Sequence, residues 1–256
     1  MKLAKMNVGL QMYTLREETA IDFVGTLHKV AKIGYEGVEF AGYGGLTAVE
    51  LKELLEQLKI KAIASHVSLA QLTTHLDEEI DYNLTIGSRY IVCPYVADDD
   101  RQTEAQWLAI IQQLQVIGQR CAERGIGFAY HNHDFELLQQ VNGVFVLDAM
   151  MKEVPEAALL MELDSCWVHH AGQNPQAYIA QYSGRIPLLH LKDMQKLPSG
   201  ETLTVELGRG EVDLIAIIEA SAKAGVEWLI VEQDKCTNPP FESIEESYNW
   251  VVKNYK

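Results

Sequence analysis

The sequence predicts an α/β chain folded as one (β/α)8 TIM barrel, a single domain over residues 1–256, and three observations lead there. Short apolar runs alternate with amphipathic stretches from end to end. Several amphipathic stretches close on a glycine just before the next apolar run. The apolar runs then stop abruptly at Asp, His or Glu, and this fold builds its site at the C-terminal ends of its strands. A doubly wound open sheet is the rival architecture, but the loop Gln11 to Thr19 lacks the glycine fingerprint of dinucleotide binding.

Strands are expected to start near Asn7, Tyr35, Ile60, Arg89, Ile126, Ala158, Arg185 and Glu227. Between them, Ile21 to Ile33, Leu51 to Leu58, Ala105 to Arg124 and Leu214 to Ala224 carry a period near 3.6 and read as crossover helices. Gly34, Gly125 and Gly225 fit the left-handed position past a helix end. Eight such units of roughly 32 residues match the ordinary size of a parallel barrel. No Pro/Gly/Ser linker or low-complexity tract divides the chain.

Composition narrows the function. Formal net charge is -15, from 36 acidic against 21 basic residues, so the long-range field repels phosphate backbones and anionic membranes. Nucleic acid and membrane are not expected partners. Lys192, Arg209 or a helix N-terminus remains a local site for the phosphate of a small substrate. No window approaches the ~20 apolar residues of a membrane span. Cys93, Cys121, Cys166 and Cys236 are widely spaced without a CxxC pair, which argues against a zinc ribbon or a disulfide framework. A soluble, reduced, cytoplasmic protein is expected.

The strand ends carry the chemistry. The run ending at Tyr130 gives way to His131-Asn132-His133-Asp134-Phe135-Glu136, and since alternate strand residues share a face, His131 and His133 point the same way. Leu159 to Leu163 stops at Asp164, Ile186 to Leu189 at His190, with Lys192 and Asp193 beyond, and Trp228 to Val231 at Glu232, with Asp234 beyond. Glu39 ends the second strand, His66 the third, and Gln11 and Tyr13 the first. A lone polar residue at a strand end is ordinarily a cap or a solvated group. Repetition over many strand ends points to convergence on one site.

These residues resemble the xylose isomerase-like TIM barrel superfamily along nearly the whole chain. Val8 to Arg16 and Ile33 to Glu39 resemble its sugar phosphate isomerase/epimerase branch. Tyr130-His131-Asn132-His133, His190-Leu191-Lys192-Asp193, Gly208-Arg209-Gly210 and Val231-Glu232-Gln233-Asp234 are also similar to inosose dehydratase. The resemblance implies one divalent ion held after strands five to eight by Glu, Asp, His and Glu. Asp164, His190 and Glu232 match that pattern, while His131 stands where the family has Glu, leaving His131 or His133 to complete the shell. Barrels of this group are often dimers or tetramers, so a homo-oligomer is open by analogy.

Two carboxylates with one or two imidazoles suit Mn²⁺ or Zn²⁺ foremost, then Co²⁺ or Fe²⁺, over Ca²⁺. Such an ion can chelate a carbonyl and its neighbouring hydroxyl on a small carbohydrate and stabilise an enediolate. The leading expectation is therefore a metal-dependent sugar or sugar phosphate isomerase/epimerase. A dehydratase acting on a keto-sugar or inosose is the alternative, and a sugar-binding barrel without catalysis a further one. An endonuclease is disfavoured by the charge.

Glu232 is expected as base, with His131 or His133 delivering the second proton. Imidazolium in place of the fifth-strand carboxylate fits elimination slightly better, because it is a competent acid near neutral pH. Gln11, Glu39, His66, Lys192 and Trp167 are expected to contact substrate. For Lys192 a buried ion pair with a structural Glu162 is the competing reading, and Glu206 reads as a solvated loop residue. Trp107 and Trp228 read as core, Asp98-Asp99-Asp100 as an acidic cluster ahead of the fourth helix, and His28, His75, His169 and His170 have no assigned role.

Overall fold

The computed structural model describes residues 5–255. Eight parallel strands form a closed barrel: β1 (Asn7–Gln11), β2 (Gly37–Phe40), β3 (Lys61–His66), β4 (Tyr90–Cys93), β5 (Gly127–His131), β6 (Leu160–Asp164), β7 (Leu188–Leu191) and β8 (Trp228–Val231). β1 pairs with β2 on one side and β8 on the other, which closes the cylinder. The (β/α)8 architecture is the one expected, and each strand begins within three residues of its expected position.

The expected helices appear as Phe23–Ile33, Ala48–Leu58, Glu104–Glu123 and Leu214–Ala224. The second starts at Ala48 because the Thr47 hydroxyl accepts from Glu50 N while the Glu50 carboxylate takes the Thr47 N–H, a reciprocal cap. Gly34 and Gly225 close their helices at φ 116° and 85°, where an L side chain would be strained. No helix among the described residues is long and apolar enough to cross a membrane.

Two apolar layers hold the barrel. The larger lies between strands and helices and includes Val8, Leu27, Trp107, Leu114, Leu189 and Val251. A separate cluster, including Ile63, Tyr90, Val92, Ala129, Leu188 and Trp228, fills the bore. Glycines on neighbouring strands make room for it: a Cβ on Gly9 would lie 2.2 Å from Ile63 Cδ1, and one on Gly37 2.9 Å from Trp228 Cη2. Large and small residues thus interdigitate around the lower bore.

Two hairpins, absent from the sequence expectation, rise from strand ends: Gln140–Val141 with Val144–Phe145, and Asp193–Lys196 with Thr202–Val205. The second is tied to the loop after β8, because Gln233 Nε2 donates to the carbonyls of Thr204 (3.2 Å) and Lys235 (3.1 Å). Its base is anchored by the buried Asp193 carboxylate. That group accepts backbone N–H bonds from Met194, Gly208, Gly210 and Val212 at 2.8–3.1 Å. A Cβ at Gly210 would sit 2.2 Å from Asp193 Oδ1, so the Gly208-Arg209-Gly210 motif is here a cradle for a carboxylate.

Candidate active site

Every second residue of a strand faces the bore, and along four strands that face changes from apolar to polar toward the C-terminal end. On β5 the order is Ala129 then His131; on β6, Leu160, Glu162 and Asp164; on β7, Leu188, His190 and then Lys192; on β8, Trp228, Ile230 and then Glu232. Strand register sets the levels. His131 lies opposite Glu162, and Asp164 opposite His190.

His190, fully buried, is the centre. Its Nδ1 lies 2.8 Å from Glu232 Oε2, and its Nε2 lies 2.8 Å from Glu39 Oε2 and 3.4 Å from Glu162 Oε2. Below it, His66 Nε2 bridges Glu162 Oε2 at 2.7 Å and Glu39 Oε2 at 3.3 Å. Gln11 Nε2 donates to Glu39 Oε2 at 2.7 Å, a cross-strand pair on opposed residues of β1 and β2. Above, Lys192 Nζ meets Asp164 Oδ2 at 2.9 Å, Glu232 Oε2 at 2.8 Å and Asp234 Oδ2 at 3.0 Å. Asn132 fixes the β6 end by accepting the Asp164 N–H at 2.9 Å.

Burial and charge pull these groups apart. Burial opposes a charge on His190, yet Glu162 and Glu232 raise it well above the usual imidazole value. Burial likewise opposes a charge on His66, but Glu39 and Glu162 raise it to about 10. His131 is driven the other way by burial and by His190, and His133 falls to about 3 through burial and Lys192, so both are neutral imidazoles. Burial favours a proton on Glu232, but Lys192 and His190 outweigh it and hold the group well below the ordinary carboxylate range.

The donor set fits a divalent ion. Two overlapping groups each keep their ligand atoms within 4.8 Å of one another: His131, Asp164, His190 and Glu232, and His66, His131, Glu162 and His190. Asp164 Oδ1 caps the helix Ser165–His170 by accepting from Cys166 N (2.9 Å) and Trp167 N (3.0 Å), which leaves Oδ2 facing the site. Asp164 Oδ2 has only the Lys192 ammonium (2.9 Å) and His131 Nδ1 only a long approach to Glu162 Oε2 (3.3 Å), while Glu39 Oε1 and Glu162 Oε1 are buried without a hydrogen bond. Polar atoms buried in that condition are expensive unless something unseen satisfies them. The carboxylates of Glu39, Glu162, Asp164, Glu232 and Asp234 face one ammonium and three imidazoles, so a further cation is electrostatically welcome.

Of the residues picked from sequence, His131, Asp164, His190 and Glu232 converge. His133 lies one step out, its ring 5.1 Å from that of His131 and 5.9 Å from that of Trp167; its Nδ1 is buried without a partner. Trp167 lines the mouth with its ring 5.4 Å from Lys192 Nζ and its Nε1 without a partner. Tyr13 lies half exposed beneath the Arg16 guanidinium.

Several placements depart from expectation. Gln11 and Glu39 are fully buried behind His190, with Gln11 Oε1 taken by Tyr13 N, so they position the histidine where substrate contact was expected. His66 keeps a little exposure but its Nε2 is engaged by two carboxylates. Lys192 does not pair with Glu162: Asp164 is level with His190, so Glu162 lies one inward step below and Lys192 one above. Glu162 joins the histidines and is more than a strut. Glu206 is buried, accepting from Ser243 Oγ (2.7 Å) and Asn238 Nδ2 (3.0 Å), contrary to the solvated reading. Arg209, a candidate for substrate phosphate, pairs with Glu246. The tie of Asp234 to Lys192 and the orienting bond of Asn132 were missed, although Asp234 shares a face with Glu232.

Comparison with known proteins agrees with the fold. An inosose dehydratase of Clostridium botulinum (strain Alaska E43 / Type E3) is 24% identical over 258 residues, covering 86% of this chain and 85% of that protein. The structure of a sugar phosphate isomerase/epimerase from Parabacteroides distasonis superposes with a TM-score of 0.82 at 21% identity, covering 97% of this chain and 98% of the other. The IolI protein, whose structure carries a zinc atom, gives a TM-score of 0.79 at 18% identity over 97% of both chains. The xylose isomerase-like TIM barrel family model matches residues 27–254. With that match spanning most of its length, the chain belongs to the xylose isomerase-like TIM barrel family.

Proposed function

We propose that the protein is a divalent-metal-dependent dehydratase of a small keto-polyol, with one ion held by His131, Asp164, His190 and Glu232. One observation carries the choice of dehydration. Where proton exchange between two carboxylates would require an acid at the end of β5, this chain has His131, and the free imidazole His133 lies beside it. The inosose dehydratase relative supports the same class. The mixed nitrogen and oxygen donors suit Mn²⁺ or Zn²⁺, and IolI offers a zinc precedent on this fold.

When bound, the ion withdraws electron density from the substrate's carbonyl and makes the adjacent C–H acidic. His133 Nδ1, with no partner in the protein, takes that proton. The C–H electron pair becomes the new C=C bond as the β C–O bond breaks. The imidazolium returns its proton to the departing hydroxyl, so one water leaves and His133 is restored. Glu232 stays ionised under Lys192 and His190, which suits a ligand better than a base. Trp167, backed by the buried Lys192 ammonium, forms the wall against which substrate hydroxyls rest.

A sugar isomerase or epimerase is the second reading. It is favoured by the presence of both Glu232 and His133 beside His131, two groups that can each carry a proton. The two readings separate in one assay. Chelator-stripped protein reloaded with Mn²⁺ is offered an inosose and a set of ketoses, and products are followed by mass spectrometry. Loss of one water supports dehydration. An isomeric product of unchanged mass supports the second reading, and turnover of neither substrate class contradicts both.

A further inference from the structure

Lys192 is the one lysine fully buried among the described residues, and its position is unusual for a metal-binding pocket. Its ammonium touches Asp164 Oδ2 at 2.9 Å and Glu232 Oε2 at 2.8 Å, so it already neutralises two of the four groups assigned to the ion. The Asp164 contact is exclusive in one respect: Oδ1 is occupied by two backbone N–H groups, so an entering ion must use the oxygen that Lys192 holds. Glu232 Oε2 is likewise shared between Lys192 and His190. An ammonium and a divalent ion on the same oxygens repel strongly where burial weakens solvent screening.

A third carboxylate gives the ammonium somewhere to go. Asp234 lies in neither group of candidate ligands, and Lys192 Nζ reaches its Oδ1 at 3.2 Å and its Oδ2 at 3.0 Å. We propose that Lys192 is the counter-cation of these carboxylates whenever no metal is bound and withdraws onto Asp234 when the ion enters, so that the Lys192–Asp234 pair sets metal affinity. This rests on the metal reading of the site given above. The device has two consequences. In the metal-free barrel the buried Asp164 carboxylate keeps a cation and Glu232 has a second one beside His190, and in the loaded barrel the ammonium is turned toward the mouth beside Trp167.

The test is a calorimetric titration of chelator-stripped protein with Mn²⁺. Lys192→Met binds the ion about tenfold more tightly than wild type, and Asp234→Asn binds it several-fold more weakly, because the displaced ammonium then has no carboxylate to meet. Binding by Lys192→Met that is equal to or weaker than wild type overturns the proposal. Should Lys192→Met fail to fold, Lys192→Gln is titrated in its place. Wild-type crystals grown with and without Mn²⁺ give a readout free of mutation: Nζ moves away from Asp164 Oδ2 and stays on Asp234, whereas an unmoved Nζ overturns the proposal. Wild-type protein that takes up no Mn²⁺ at all refutes the metal reading itself, a result distinct from failure of the lysine's role alone.

Discussion

The lower and upper halves of the bore are built by the same strands and the same alternation, yet they solve opposite problems. Below, Ile63, Tyr90, Leu188 and Trp228 interdigitate over glycines, and charged groups meet them from Lys61, Arg89 and Glu227, which lie beside the Trp228 and Tyr90 rings. Two to four residues further along, the bore faces carry Glu162, His190 and Glu232, buried as completely but held by ion pairs and hydrogen bonds. Apolar packing below makes the cylinder rigid, and rigidity lets buried carboxylates be held above in positions they would not choose alone. Stability therefore resides in the lower half and chemistry in the upper.

The sharpest break of that division is His190→Ala. It removes a proposed metal ligand and leaves Glu39, Glu162 and Glu232 facing one another, so turnover falls by at least ~10³-fold and Mn²⁺ uptake is lost, while breaking a buried pair costs about 3–5 kcal/mol in the metal-free protein. Steady-state kinetics and denaturant unfolding check both. Trp228→Ala in the plug is expected to cost about 3–5 kcal/mol of stability with turnover per folded molecule retained. Its activity, corrected for the folded fraction, is the readout, and a loss as large as that of His190→Ala would erase the distinction between halves.

Asp193→Asn sharpens the upper half. The carboxylate that receives four backbone N–H groups becomes an amide that presents a donor to some of them. The loss is about 1–3 kcal/mol by thermal unfolding, with KM rising more than kcat falls, because the loop beside Lys192 loosens. The effect most remote from turnover concerns pH. Burial raises the Glu136 carboxyl from 4.5 to about 7, while Tyr130 Oη and His133 N donate to it. The folded chain therefore keeps a proton that the unfolded chain releases, and stability falls as pH rises from about 4.5 to about 7, by up to ~1.4 kcal/mol per pH unit. Glu136→Gln flattens that stretch of the stability curve, and an unchanged slope would remove Glu136 as its source.

The barrel was legible because most strands are apolar runs ended by a polar residue, and because Gly34 and Gly225 mark helix ends by a backbone need that only glycine meets cheaply. Helix Leu76–Ile86 was not read, since its apolar face is interrupted by Asp77, Glu78, Glu79 and Asp81. The hairpin after β7 left a signal in Pro198-Ser199-Gly200 between two runs of alternating residues. The residues that converge at the barrel mouth were legible as strand ends. Their partners were not: which carboxylate meets Lys192 depends on the stagger of β6 against β7, a spatial register the linear sequence does not carry. The choice between His131 and His133 depended likewise on where β5 stops.

The most direct measurement is an anomalous difference map from crystals soaked in Mn²⁺, with data taken at the manganese edge. A single strong peak bounded by His131, Asp164, His190 and Glu232 is the predicted result. A map with no peak in the bore, or with its peak among His66, His131, Glu162 and His190 instead, would contradict the assignment of the site.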